Sequence, residues 1–309
     1  MKVPTLSDAD SPGTERSGAL RGGRLGRFRA ALLSWYEPAA RPLRIRSTRE
    51  PWAILVSEVM AQQTQIARVD EAWFGFMQRY PDPGALAEAP TAEVLRAWSG
   101  LGYNRRALNL QRAAATIEAE HGGRVPGDIA LLEGLPGVGP YTARAVAAIA
   151  FGRPVAAVDT NVRRVVTRVV GRPLTVKALQ AEADALVDPD QPATWTHASM
   201  ELGATVCLSR RPRCDVCPVR TWCASAGRVE PLPPRARATR LPFERTTRWL
   251  RGRIVERLRA IDDGAWERLP EAIGDHGGPQ ISAAVAGLER DGLLERRPDG
   301  SVRLPSGRT

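Results

Sequence analysis

The sequence predicts an all-α body with a small appended unit at the C-terminal end, on three observations. Apolar residues recur at helical spacing along most of the chain. No convincing period-two strand precedes residue 290. After that point the stretch LLERRPDGSVRLP sets an Asp-Gly turn between two short strand-like runs, the pattern of a hairpin.

Each element follows in order. Leu25 to Tyr36 reads as a short amphipathic helix, followed by the loop EPAARPLRIRSTREPW. From Ile54 to Ala119 the helical spacing continues, broken at Tyr80-Pro81-Asp82-Pro83-Gly84 and at Ser99-Gly100-Leu101-Gly102. A turn at His121-Gly122-Gly123 precedes a helix near Ile129 to Glu133 and then the segment LPGVGPYTARAVAAIAFG. Val162, Val165, Val166, Val169 and Val170 follow the i, i+3, i+4, i+7, i+8 spacing of a buried helix face. Near the end, Leu250, Ile254, Val255 and Leu258 suit one helix, Trp266, Leu269 and Ile273 a second, and Ile281, Val285 and Leu288 a third. Three helices and a hairpin are the order of a winged helix.

The chain has 309 residues, enough for two domains of roughly 150 residues each. Its formal net charge is +10 and all but two of its 44 basic residues are arginine, which points to a polyanionic partner. No run approaches the length of apolar chain that spans a membrane. The N-terminal residues 1–22 lack the apolar core of an export signal and read as a disordered lead-in. A cytoplasmic, reducing setting follows as the expectation, and there a cysteine cluster favours metal over disulfides.

All four cysteines fall in one stretch, spaced Cys207-x6-Cys214-x2-Cys217-x5-Cys223. Four thiolates so placed can wrap one tetrahedral zinc or one iron–sulfur cube. Only the middle pair is close, and the wide outer arms suit the larger cluster. Arg210, Arg211, Arg213 and Arg220 lie between the cysteines, so this loop is a basic knob suited to phosphates. Upstream, Leu135-Pro136-Gly137-Val138-Gly139 joins two helical segments. Its glycines permit a tight turn with backbone N–H groups exposed at the start of a helix, which suits a phosphate oxygen or an ordinary helix connection equally.

Taken in order, these motifs resemble the helix-hairpin-helix DNA glycosylases of the endonuclease III superfamily, and within it the MutY-type A/G-specific adenine glycosylases. The residues that carry the resemblance are Ser57-Glu58-Val59-Met60-Ala61-Gln62-Gln63-Thr64-Gln65, Gly100-Leu101-Gly102-Tyr103, LPGVGPYTA, Asp159-Thr160-Asn161-Val162-Arg163-Arg164-Val165, and Met200-Glu201-Leu202-Gly203-Ala204 leading into the cysteines. The resemblance spans roughly residues 25 to 227. It implies a six-helix module at about 53–158, a cluster module from 23–52 plus 159–228, a [4Fe–4S] cofactor, and a monomer acting on double-stranded DNA with a mismatched or damaged base, associated with the nucleoid. Residues 229–242, rich in Pro and Arg, read as a linker to the winged-helix-like unit at 243–309.

Excising a purine breaks an N-glycosidic bond through an oxocarbenium-like state, which asks for an acid at the leaving base and an anion near the sugar. Glu58 is flanked by apolar residues, with Gln62 and Gln65 on its helix face at i+4 and i+7. A carboxyl lodged there would hold a proton, and the resemblance makes it the acid that protonates adenine. Asp159 precedes the valine helix as its N-cap. The resemblance makes Asp159 the anion that stabilises the sugar cation, supported by Asn161. Tyr141 occupies the position where bifunctional relatives carry a Schiff-base lysine. Lys2 and Lys177 are the only lysines, so the expectation is a monofunctional glycosylase. Gln63 resembles the residue wedged into the duplex when the target base leaves the stack, with Gln62 holding the strand. The resemblance also places Tyr103, Leu135, Gly137, Val138 and Gly139 at the DNA.

The chain departs from the family pattern at several points. Leu43-Arg44-Ile45-Arg46 stands where Leu-Pro-Trp-Arg is usual, so Ile45, beside Arg46, replaces an aromatic that lines the base pocket. Ala61 stands where a leucine is usual. His197 lies where relatives place a Gln or Glu that touches the adenine. The C-terminal unit is too short for the domain that reads 8-oxoguanine in longer relatives, and grips DNA through Arg248, Arg251 and Arg253 or only stabilises the body. The same chemistry on another base (thymine or uracil against guanine, or hypoxanthine) and a non-catalytic DNA-binding iron–sulfur protein are the competing readings.

Overall fold

The computed structural model describes residues 20–229, 241–261 and 264–307. Most of the expected lead-in and linker therefore lies outside the described residues. Along the chain run α1 (Gly22–Ala39), α2 (Pro51–Ala61), α3 (Ile66–Arg79), α4 (Pro83–Glu88), α5 (Thr91–Ala97), α6 (Arg105–His121), α7 (Ile129–Gly134) and α8 (Pro140–Phe151). They are followed by α9 (Thr160–Val170), α10 (Val176–Leu186), α11 (Pro192–Thr205), α12 (Thr247–Arg259) and α13 (Gly278–Arg290), and by a hairpin of β1 (Glu295–Arg296) and β2 (Val302–Arg303). The fold is all-α with that one small antiparallel hairpin, in which Glu295 pairs with Arg303 and Arg296 with Val302.

Caps explain many of the boundaries. Glu50, Asp82, Asp128, Asp159, Thr175 and Thr246 each accept backbone N–H bonds in the first turn of the following helix. α6 and α9 end where Gly122 and Gly171 adopt left-handed backbone, with φ of 59° and 80°. Gly171 has a second constraint, since a Cβ there would lie 2.5 Å from the Ala224 Cβ.

The chain divides into two compact units, the described parts of Met1–Arg41 with Gly152–Pro234 and of Pro42–Phe151 with Arg235–Thr309. The core of the first forms where α1, α9, α10 and α11 meet. Phe28 and Leu32 of α1 pack with Val162, Val165, Val166, Val169 and Val170, with Leu179 and Leu186 of α10, and with Trp195, Ala198 and Leu202 of α11. The five valines face inward as their spacing requires. Cys207, Cys217, Trp222 and Cys223 lean on the same cluster.

The second unit is built on α2, whose residues Trp52 to Ser57 are all buried. It packs against α3, α6 and α8, and Trp98, Phe76, Leu86 and Leu108 complete the interior. Trp52 and Trp73 place their indole N–H groups on the carbonyls of Tyr80 and Ala53, so two large side chains are buried without orphaned donors. α12 packs on α5 within this unit. There Arg259 donates to the Leu95 carbonyl and Asn104 Oδ1, and Arg96 to the carbonyls of Arg259 and Ile261.

One expected helix is absent. Trp266, Leu269 and Ile273 fall on extended or bent chain. Glu267 exchanges both backbone bonds with Val302, at 2.9 and 2.8 Å, which bridges it to the hairpin. Pro270 could not donate within a helix, and the Trp266 ring instead lies under the guanidinium groups of Arg297 and Arg303, 4.1 and 4.4 Å from its centroid. The segment thus has two long helices and a two-stranded hairpin with one bridging residue beside it, and not the three helices the spacing predicts. Among the described residues no helix is long and apolar enough to cross a membrane.

Candidate functional site

In the second unit the site begins at the C-terminal end of α2. Glu58 is half-buried between buried Ser57 and Val59, and its Oε2 is buried. The helix ends at Ala61, earlier than the sequence implies, so Gln62 is its C-cap and Gln65 the N-cap of α3. Gln65 therefore does not continue the Glu58 face. The interruption is Gln63, exposed and held at φ 57°.

Gln62 turns back onto the hairpin between α7 and α8. Its Nε2 donates to the Gly137 carbonyl and to Thr142 Oγ1, both at 3.2 Å. The hairpin turn closes by a 3.1 Å bond from Val138 N–H to the Leu135 carbonyl. Leu135 and Val138 anchor it as buried residues, leaving Gly137 and Gly139 exposed at the tip. Gly137 is at φ 79°, and a Cβ there would meet the Asn109 Cβ at 2.7 Å. The turn thus needs glycine for both conformation and space. Tyr141 is half-buried in the first turn of α8.

Tyr103 is the other non-glycine residue with positive φ among the described residues, at 47°. Left-handed backbone in larger residues is costly and concentrates where function over-determines it. Two side chains link the loops that carry Gln63 and Tyr103: Thr64, whose Oγ1 donates to the Leu101 carbonyl at 3.3 Å, and Arg106. Arg106 donates to the Val59 and Met60 carbonyls at 2.8 and 2.7 Å, and to Thr64 Oγ1 and the Leu101 and Gly102 carbonyls at 3.0 Å. Burial lowers its guanidinium to about 10, so it stays charged at neutral pH. Nothing in the local sequence singles Arg106 out, because its partners lie on segments up to 47 residues away.

Ile45 is buried in a short turn at Arg44–Arg46, where its N–H reaches Asp70 Oδ1 at 3.1 Å. Arg46 and Ala61 are half-buried.

In the first unit the centre is the start of α9. Asp159 caps the helix through Oδ1, which accepts from the N–H groups of Asn161 and Val162 at 2.9 and 2.7 Å. Its Oδ2 accepts from Asn161 Nδ2 at 2.9 Å. One carboxylate thus takes three N–H bonds from the end of a helix, where negative charge is favoured. Arg164 holds Asn161 from behind and also binds the carbonyls of Gly203 and Cys207 at 2.6 Å. Asn161, Arg164, Gly203, Ala204 and Leu208 to Arg211 line an open cavity of about 590 Å³. His197 is half-buried on α11.

All four cysteines are half-buried and none is in a disulfide. Burial pushes the Cys223 thiol up to about 11 and raises Cys217 too, and in both Cys207 and Cys214 add to the rise, so these thiols are close enough to feel one another. Backbone N–H groups of Val219 and Ser225 favour charge on Cys217 and Cys223. Arg168 Nη1 lies 3.3 Å from Cys207 Sγ. Such a set of gathered, donor-supplied thiols fits a group that binds them as thiolates. Among the described residues no group of three or more His, Cys, Asp or Glu is arranged to hold a single metal ion.

Three comparisons bear on this geometry. Residues 56–188 match the HhH-GPD superfamily of base excision DNA repair proteins. The chain is 43% identical over 293 residues to an adenine DNA glycosylase from Mycobacterium tuberculosis, covering 89% of this chain and 92% of that protein. Among solved structures, a thermostable thymine-DNA glycosylase superposes with a TM-score of 0.63 at 29% identity, over 66% of this chain and 97% of that one. A trapped endonuclease III–DNA covalent intermediate gives 0.56 at 26% identity, over 65% and 94%. The chain belongs to the HhH-GPD superfamily of base excision DNA repair proteins, and within it to the family of the adenine DNA glycosylases.

Proposed function

We propose that the protein excises adenine from DNA, where it is mispaired with 8-oxoguanine or guanine, by hydrolysing its N-glycosidic bond without a lyase step. The observation that carries this reading is the 43% identity to an adenine DNA glycosylase over 89% of the chain, with Glu58 and Asp159 at the motif positions. Glu58 gives its proton to a ring nitrogen of adenine, so the base leaves neutral as the bond to C1′ breaks. Asp159 opposes the positive charge that develops on the sugar. Water then adds its hydroxyl to C1′ and gives its proton to a carboxylate, leaving an abasic site. Asn161 positions Asp159, and Tyr141 offers no amine for a Schiff base.

Cys207, Cys214, Cys217 and Cys223 would hold a [4Fe–4S] cluster. When bound, the cluster supplies four-point closure of the 207–223 loop, whose arginines suit phosphates. The hairpin at Gly137 and Gly139 offers backbone N–H groups to the DNA, Gln62 steadies that hairpin, and Gln63 fills the space left by the extruded base. The protein works as a monomer, at the nucleoid.

The test is single-turnover base release from duplexes carrying A·8-oxoguanine, A·G, T·G, U·G and hypoxanthine·T, with alkali to reveal abasic sites. Preferred release at A·8-oxoguanine is expected. A second reading has a specific basis: the likeness to a thymine-DNA glycosylase, with Ile45 and Ala61 altering the base pocket. Cleavage of T·G with A·8-oxoguanine left intact would replace the first reading with the second. Without alkali the strand stays whole, and borohydride traps no covalent complex.

A further inference from the structure

Most arginines at the start of the C-terminal segment and along α12 are committed to partners. Arg245 pairs with Asp275, Arg251 with Asp291, Arg257 with Glu267, and Arg259 with Glu256. Arg248 and Arg253 have no such partner among the described residues, and of the two it is Arg248 that lies against aromatic rings. Arg248 is exposed. Its Nη1 donates to Tyr103 Oη at 2.6 Å. Its guanidinium lies 5.3 Å from the Tyr103 ring centroid and 5.0 Å from that of Phe243, within cation–π range of both.

Both aromatics are open to solvent, Tyr103 at 41% and Phe243 at 49% exposure. Neither burial nor neutralisation explains why this trio is assembled on the surface. Tyr103 is also held in left-handed backbone, as is Gln63. Phe243, Arg248 and Tyr103 form one surface cluster contributed by two distant parts of the sequence, and buried Arg106 ties its Tyr103 loop to the loop of Gln63. A guanidinium has five N–H donors in a planar fork that matches phosphate. The Tyr103 hydroxyl takes one, and the charge is left uncompensated.

We propose that this cluster is a DNA-contacting surface of the C-terminal segment: Arg248 takes a backbone phosphate of the duplex while holding the Tyr103 ring, and Phe243 supplies apolar contact beside it. The segment is then part of substrate recognition and not only a brace for α5. The inference rests on the reading of the chain as a DNA glycosylase. It names the duplex as occupant because the surface joins uncompensated positive charge to exposed aromatic rings, the pair of features that phosphate and base faces recognise.

The test is binding of the full-length protein to a fluorescent duplex with a reduced abasic site opposite 8-oxoguanine, repeated over a series of salt concentrations. Arg248→Ala is expected to weaken binding about tenfold and to lower the slope of log affinity against log salt by about one, the loss of one phosphate contact. Arg248→Lys keeps the slope, because it keeps the charge. Phe243→Ala weakens binding with the slope unchanged. A brace alone would leave the salt slope of Arg248→Ala at the wild-type value, and that result overturns the proposal whatever its melting temperature. Base release by the wild type is scored separately. If no duplex loses adenine but the slope still falls in Arg248→Ala, the DNA surface stands and the activity assignment fails.

Discussion

Arg164 joins Asn161 to Cys207. Its Nη2 donates to Asn161 Oδ1 at 2.8 Å while its Nε donates to the Cys207 carbonyl at 2.6 Å. Asn161 in turn grips Asp159 Oδ2. The cysteine loop and the helix-capping carboxylate are thus two ends of one hydrogen-bonded chain. A misplacement of about 1 Å at a reacting group costs up to about 100-fold in rate. Arg164→Leu is expected to slow single-turnover base release by up to that factor at saturating protein. Arg164→Lys, which cannot make both bonds, recovers only part. An unchanged rate in Arg164→Leu would show that Asp159 needs no support beyond its own helix.

Glu58→Gln keeps the side chain's size and removes the transferable proton. The expected result is a loss of base release of about 10²- to 10⁴-fold, the range for general acid catalysis, with duplex affinity close to wild type. The check pairs single-turnover rates with anisotropy on the same preparation. Wild-type turnover in Glu58→Gln would remove Glu58 as the acid.

The cluster assignment has its own assay. Protein purified without air should carry iron and acid-labile sulfide in equal amounts, and Cys223→Ser should lose both. The first unit should then melt earlier, because Cys207, Cys217, Trp222 and Cys223 pack against its core. Zinc without sulfide in the wild type would mark the site as a single-ion centre instead.

Several of these features are visible in the sequence because they are local. The five valines of α9 are buried as their spacing demands, and Asp159 caps that helix as its position demands. What could not be read depends on distant chain. Arg106 and Arg164 are ordinary helical arginines until the fold brings carbonyls to them. The end of α2 at Ala61 has no glycine or proline to announce it, and Gln63 turns the chain at φ 57° because Arg106 and Gln62 fix both sides of the loop. Trp266, Leu269 and Ile273 fit one helical face by spacing, yet three residues cannot outvote Pro270 and an available strand edge at Val302. Arg248 could be named from charge alone as one of three candidates. Only the structure separates it from Arg251, which is paired with Asp291, and from Arg253, by its place against the Tyr103 and Phe243 rings.

The two hairpin glycines should respond differently to the same substitution. Gly137→Ala puts a Cβ 2.7 Å from the Asn109 Cβ on backbone at φ 79°, and left-handed non-glycine backbone costs about 1–3 kcal/mol. A lower melting temperature and weaker DNA binding are expected together. A methyl group added at Gly139 would meet no atom within 4 Å, and the backbone there has no positive φ, so Gly139→Ala should leave the melting temperature near wild type. Equal melting temperatures for the two variants would mean that the turn relaxes around the added methyl.

Arg106→Met is the most severe change the structure predicts away from the carboxylates. It removes every bond that ties the last carbonyls of α2 to the loop at Leu101 and Gly102. Acceptors left unsatisfied by a missing partner cost about 1–3 kcal/mol each when buried. Only those that water cannot reach count fully, so a loss of about 3 kcal/mol in denaturant unfolding is expected. Arg106→Lys retains the charge but not the fork. It should recover less than half of that loss, since a single ammonium cannot serve both loops. Full recovery in Arg106→Lys would show that charge near Tyr103 matters more than the geometry that positions Gln63 and Tyr103. No recovery, with DNA affinity reduced in both variants, would tie the left-handed conformations of these two residues to the guanidinium between their loops.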